Sequence, residues 1–294
     1  MKAPRFRSST PFLLSLGLLV TACGDDGSAG SAAGGSAGGA EGAATAAAQE
    51  PEVEPGKGDY EFKVEGAPRI FPAVKRAQLE VLQEFLDAGD DPNATIEGGL
   101  TALHNATGSQ SEAMVDALLA AGANPNLQQA AGAGALHFAI QAGNVEIARK
   151  LIAAEADVNL QDKQGMAPLH LVGVFGHAPE TQVALATLLL DSGAQVDIRD
   201  NNQTTPLIGA AQYAALELVK LLVERGADLE AAGDQQYRAL HIAALYERQD
   251  VCEMLLEAGA DVNSRTDGNA SPIAIAANKE NSALVELFQQ NGAE

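Results

Sequence analysis

The sequence predicts an all-α solenoid, a row of stacked helix-turn-helix units with short β-hairpin-like loops, preceded by a disordered tether. Three marks carry that expectation. A helix-closing dipeptide returns as Gly89-Asp90, Gly122-Ala123, Glu155-Ala156, Gly193-Ala194, Gly226-Ala227, Gly259-Ala260 and Gly292-Ala293, at steps of 33, 33, 38, 33, 33 and 33 residues. A polar marker, Asn93, Asn126, Asn159, Asp197, Glu230 and Asn263, keeps the same steps. A tetrapeptide falls in that register too, as Thr101-Ala102-Leu103-His104, Gly134-Ala135-Leu136-His137, Ala167-Pro168-Leu169-His170, Thr205-Pro206-Leu207-Ile208, Arg238-Ala239-Leu240-His241 and Ser271-Pro272-Ile273-Ala274. A fixed period of this size marks units that cannot bury an apolar face alone and must stack.

Composition agrees. With 46% hydrophobic residues but only 4% aromatics and no Trp, the core must be built from Leu, Val, Ile and Ala, the palette of closely packed helices. The 39 acidic residues against 18 Lys plus Arg give a formal charge of −21. Nucleic acid is thereby disfavoured, since phosphate binding runs on cationic side chains that displace counterions. Two cysteines, Cys23 and Cys252, supply neither a disulfide framework nor a Cys-based zinc site.

From the N-terminus, Lys2, Arg5 and Arg7 form a basic segment, Phe12 to Val20 an apolar one, and Thr21 and Ala22 precede Cys23, the order of a secretory leader. The apolar stretch is too short for a bilayer span, which takes about 20 residues. Val20-Thr21-Ala22-Cys23 resembles the lipobox of bacterial lipoproteins. That resemblance implies removal of residues 1–22, acylation of Cys23, and a lipid anchor in the bacterial cell envelope, at the periplasmic face of the outer membrane or the cell surface. Losing three cations and no acid would take the net charge from −21 to −24. Residues 23–58, rich in Gly, Ala and Ser, hold too few branched or aromatic side chains to offset the entropy of ordering, and read as a flexible acidic tether. Its r.m.s. reach is on the order of 30 Å.

Residues 59–96 read as a lead-in and degenerate capping unit, in which Pro68-Arg69-Ile70-Phe71 replaces the capping tetrapeptide. Six full units follow over 97–294, at 97–129, 130–162, 163–200, 201–233, 234–266 and 267–294. Thr101, Thr205 and Ser271 suit the N-cap, and Pro168, Pro206 and Pro272 the first helical position. Val115, Leu118 and Leu119, or Val219, Leu222 and Val223, repeat at helical spacing. Glycine ends most second helices, so Glu155, standing where glycine should, predicts the weakest stop. The five extra residues of the third unit, His177 to Thr181, read as a tolerated surface insertion, with Pro179 opening the next helix.

A 33-residue period with Thr-Pro-Leu-His at its helix start resembles the ankyrin repeat, over residues 66–294. The resemblance implies that His104, His137, His170 and His241 hold backbone near the turns. It also implies that a protein partner binds the concave surface formed by the fingertips and first helices. Counting from the histidine position places Met166, Val174, Phe175, Gln212, Tyr213, Gln235, Tyr237, Leu245 and Tyr246 there. Three of the four tyrosines fall in this set, and tyrosine buries much area with few torsions to freeze.

Chemistry finds no foothold in the sequence. Histidines one unit apart are too far spread to share a metal, Cys252 sits on an apolar helical face where a thiol is inert, and no phosphate loop or nucleophile elbow occurs. The expectation is no enzyme, cofactor, metal or small-molecule substrate, and a monomer. The function expected is a membrane-anchored protein–protein interaction module. The alternative is an inhibitor or immunity-type protein that occludes a basic toxic or hydrolytic enzyme.

Overall fold

The computed structural model describes residues 68–294; the leader, Cys23, the tether and the start of the lead-in lie outside the described residues. Within them, helices follow one another in pairs: α1 (Ile70–Lys75) and α2 (Leu79–Asp87), α3 (Ala102–Gly108) and α4 (Glu112–Ala120), α5 (Ala135–Ala142) and α6 (Val145–Ala153), α7 (Pro168–Leu171) and α8 (Pro179–Asp191), α9 (Pro206–Tyr213) and α10 (Leu216–Glu224), α11 (Ala239–Leu245) and α12 (Gln249–Glu257), α13 (Pro272–Asn278) and α14 (Ser282–Gln290). Each first helix packs on its own second helix and on the first helices of the flanking pairs, and second helices pack on second helices. The chain is therefore the all-α stack the period predicts.

Local chemistry starts and stops these helices. The hydroxyls of Thr101, Thr205 and Ser271 accept from the N–H groups of His104, Ile208 and Ala274, satisfying donors that the first turn leaves free. Pro168, Pro206 and Pro272 sit at the helix starts. At the other end, Gly122 (φ 86°) and Glu155 (φ 64°) both turn left-handed. The closing bonds match as well, Ala123 N–H to Leu118 O and Ala156 N–H to Leu151 O, each 2.9 Å. The stop at Glu155 thus forms in full, with a side chain held where the left-handed conformation costs about 1 kcal/mol.

The loops between pairs are fingers, each spanned at its base by a backbone bond: Ile96 to Leu100, Gln129 to Ala133, Asp162 to Met166, Asp200 to Thr204, Gly233 to Tyr237 and Thr266 to Ala270, at 2.8–3.0 Å. They are hairpin-like without strands, the one bridge among the described residues being Thr95 with Thr101. A second row of bonds ties the fingertips together. Ala130, Lys163, Asn201, Asp234 and Asp267 donate to the carbonyls of Gly98, Ala131, Gln164, Asn202 and Gln235. At the fifth full unit, Gln235 (φ 53°) and Gln236 (φ 60°) are both left-handed, a geometry usually left to Asn and Gly.

Neighbouring units are stapled by the polar marker. Asn126 receives the N–H of Asp157 at 2.7 Å and donates to Glu155 O at 2.9 Å; Asn93, Asn159 and Asn263 do the same with their own neighbours. The insertion lies at the surface, with Ala178, Pro179 and Glu180 exposed, and the residues at its two ends are stapled to neighbouring units. His177 Nε2 bonds Ile140 O of the preceding unit at 3.0 Å. Gln182 donates to His177 O and receives the N–H of Ala215 in the following unit, at 2.8 and 2.9 Å. Gly143 makes this fit possible, because a Cβ there would come within 2.8 Å of the His177 ring.

Candidate functional site

The fingers and first helices carry the predicted contact residues, and the structure sorts them into separate groups. Tyr213 ends α9, 49% exposed, one of two large apolar-bodied side chains so exposed among the described residues. Tyr246 caps α11, and the two rings meet edge to face with centroids 5.6 Å apart, the favourable arrangement of two ring quadrupoles. Burial raises the Tyr246 phenol pKa above its ordinary value, and the Tyr213 hydroxyl adds to the rise.

The turn after α9 explains why this pair stands out. The corresponding residue is left-handed in other units, as at Gln110, Gly143, Gly176, Glu247 and Glu280, but Ala214 is extended, at φ −71° and ψ 161°. Gln212, expected at the surface, is instead 4% exposed. It lies against Tyr246, yet its Nε2 has no partner within hydrogen-bonding distance. It therefore supports the tyrosines from beneath rather than offering a contact of its own.

The other predicted residues do not join the tyrosine pair through any ring contact. Phe175 is partly buried against the core and its ring neighbour is His177, at 6.2 Å; Tyr237 stands edge-on to His241 at 6.0 Å. Met166 is half-buried at the foot of its finger and its carbonyl receives His137 Nε2 at 3.1 Å. Val174 and Leu245 are half-buried, and Gln235 is exposed at a fingertip. Sequence reasoning passed over Gln182 and Arg248, whose guanidinium donates to Ala214 O at 3.0 Å. They occupy a position that varies along the chain, with Ser111, Asn144, Ala215 and Asn281 in other units, so no constant letter marks it.

The four repeat histidines act in structure. In each, Nδ1 accepts the N–H of the residue three before it, from Thr101, Gly134, Ala167 and Arg238. That leaves Nε2 protonated and able to donate. His137, His170 and His241 give it to Met166 O, Thr204 O and Ser264 O, each at 3.1 Å. His104 has no such acceptor for Nε2 and sets its ring edge-on to Phe138 instead. Burial lowers the pKa of all four, to about 4 for His104 and His241. Cys252 is fully buried, and burial pushes its thiol up to about 12, far from the thiolate that reactivity requires. Among the described residues no group of three His, Cys, Asp or Glu side chains is placed to hold a metal ion, and no helix is long and apolar enough to cross a membrane.

A comparison with curated proteins finds none that matches. The family model described as ankyrin repeats, in three copies, matches residues 70–162, 108–200 and 174–266. These stretches overlap and run without a gap from the first helix pair into the sixth, with Thr101, Thr205 and the four buried repeat histidines inside them. The chain belongs to the ankyrin-repeat family.

Proposed function

We propose that this chain is a lipid-anchored interaction module of the bacterial cell envelope, which holds a protein partner against the concave row of fingers and first helices. Family membership makes it a protein–protein interaction module; anchor, compartment and contact residues are the further steps. The single observation that supports the contact site is the Tyr213–Tyr246 pair on α9 and α11, more exposed than the aliphatic core beside it and seated on a buried glutamine. Exposed aromatic anchors over a packed base are what interface hot spots are made of. Gln235 and Tyr237 extend the surface along the adjoining finger, and Met166, Val174, Phe175 and Leu245 border it.

Lys2, Arg5, Arg7, the apolar Phe12–Val20 and the Val20-Thr21-Ala22-Cys23 box support acylation at Cys23 and delivery to the envelope, with residues 24–58 as spacer. The test is a crosslinked capture from envelope fractions with the lipidated protein, repeated with Tyr213→Ala and Tyr246→Ala. Loss of roughly tenfold or more in affinity for the captured partner, with the helical signal unchanged, is expected for hot-spot tyrosines. Unaltered affinity in the double variant removes the patch.

The acidic surface favours a second reading, an inhibitor or immunity-type protein that occludes a basic toxic or hydrolytic enzyme. A net charge of −21 steers a cationic partner and speeds its encounter. An association rate that falls steeply with added salt supports this reading, and a salt-independent rate rejects it.

A further inference from the structure

We infer that residues 59–67 of this chain, led by Tyr60, Phe62 and Val64, form the missing outer neighbour of the first helix pair and close the N-terminal end of the stack. The register of the second helices identifies the open face. Val81 and Phe85 on α2 correspond to Met114 and Leu118 on α4, and by the same steps to Ile147 and Leu151, Leu185 and Leu189, Leu218 and Leu222, Val251 and Leu255, Leu284 and Phe288. Those twelve side chains are buried, none more than 2% exposed, including the pair on α14, the last helix described. They therefore face the preceding unit. Val81 and Phe85, with no preceding helix pair among the described residues, are only partly buried.

The opposite end is finished differently. Leu119, Ile152, Leu190, Val223 and Leu256 share one register position, and the last helix carries Gln289 there. Polar substitution makes that end tolerable in water, as terminal repeats require. The N-terminal end keeps its valine and phenylalanine. Arg69 lays its guanidinium over Phe85, 4.8 Å from the ring centroid, while bound to Asp90; Val81 has no such cover among the described contacts.

A polar observation points the same way. At the register position of Gln78, Arg248 and Asn281 reach back to the preceding unit, to Ala214 O and Glu247, whereas Gln182 reaches forward to Ala215 N–H and Asn144 caps its own helix. Gln78 Oε1 is a buried acceptor without a partner. An arriving stretch of backbone supplies the N–H groups it lacks, along with apolar cover for Val81 and Phe85.

The chain carries one segment suited to the task, directly before Pro68. After a long run of Gly, Ala and Ser, Tyr60, Phe62 and Val64 alternate with Glu61, Lys63 and Glu65, so an extended strip has one apolar and one charged edge. From Val64 to Pro68 the chain reaches about 13 Å at roughly 3.3 Å per residue, enough to return across a helix pair. Its apolar edge meets α2 and its charged edge meets water.

The experiment is hydrogen exchange on the full chain, wild type against Tyr60→Ser/Phe62→Ser/Val64→Ser. These residues lie outside the helix pairs, so the substitutions leave every packed position of the stack intact. Expected is exchange about tenfold faster in α2 alone, with α9 to α12 unchanged, because local opening reports local cover. Equal exchange in the two proteins overturns the inference. So does acceleration spread evenly along the stack, and so does wild-type protection of α2 that fades on dilution, which would identify a second copy as the occupant.

Discussion

Asp197 is a staple with one arm. At this position Asn126 both receives an N–H and donates to the carbonyl that ends the next second helix. Asp197 still receives Asp228 N–H, at 3.0 and 3.2 Å to its two oxygens, but a carboxylate has no hydrogen to give to Gly226 O. Asp197→Asn restores the second arm and should stabilise the fold by about 1 kcal/mol, read as a higher urea midpoint; a lower midpoint would count against the staple. Glu230 is a different solution to the same problem, its second oxygen being held by Arg238 at 3.0 Å. The histidines give a pH prediction whose sign follows from burial. Their folded pKa lies below the ordinary 6.5, at about 4 for His104 and His241, so the unfolded chain takes up protons first. Stability is complete above about 6.5 and drains away as pH falls from there towards about 4. A urea midpoint that drops between pH 7 and pH 5, with a shallower drop in His241→Gln, is the expected result. A flat profile would falsify the assignment of buried neutral rings.

At the scale of elements, the fourth helix pair, that of the third full unit, departs most from its neighbours. Its second helix, α8, is 13 residues long where the other second helices have 9, and its entry is bolted to the units on either side through His177 and Gln182. Deleting residues 177–181 should cost several times the few tenths of a kcal/mol that a neutral loop change implies, since buried acceptors and donors on three units lose partners at about 1 kcal/mol or more each. A deletion variant with an unchanged thermal midpoint would show the insertion to be merely tolerated. This is also where the sequence stops being legible. Thr101, Thr205, Ser271 and the prolines announce helix starts because capping needs those side chains, and the 33-residue step announces stacking because a repeated face needs a repeated partner. Gln182 carries no such sign, since it acts through the neighbour it reaches rather than through its own helix. Counting from the histidine position puts Gln212 on the contact surface, but it is buried, and the extended Ala214 that follows it is a departure no periodicity encodes. The left-handed pair Gln235-Gln236 likewise lacks the glycine that would have flagged it.

Across the whole molecule, burial follows position in the row rather than distance from a single centre. Leu82, Val115, Ala148, Ala186, Val219 and Cys252 share the register position that faces the next unit and are fully buried, while Val285 of the last pair is only partly so. Cys252 is thus shielded by α13 and α14. Removing residues 267–294 should leave the remaining pairs folded, lower the denaturant m-value in keeping with the lost unit, and open Cys252 to thiol reagents. Wholesale loss of helical signal would contradict stability built from neighbour terms.

Among the bonds that join successive fingers, one rung at each junction from Gly98 to Asp267 runs between main-chain groups. Rungs of that kind are indifferent to what hangs from them. Gln164 and Asn202 take part through main-chain groups alone, accepting at their carbonyls and donating their N–H to Asp162 and Asp200, so a mutation at either tip can redraw the recognition face without loosening the ladder. Such a scaffold lets selection retarget the protein one fingertip at a time while its architecture stays fixed.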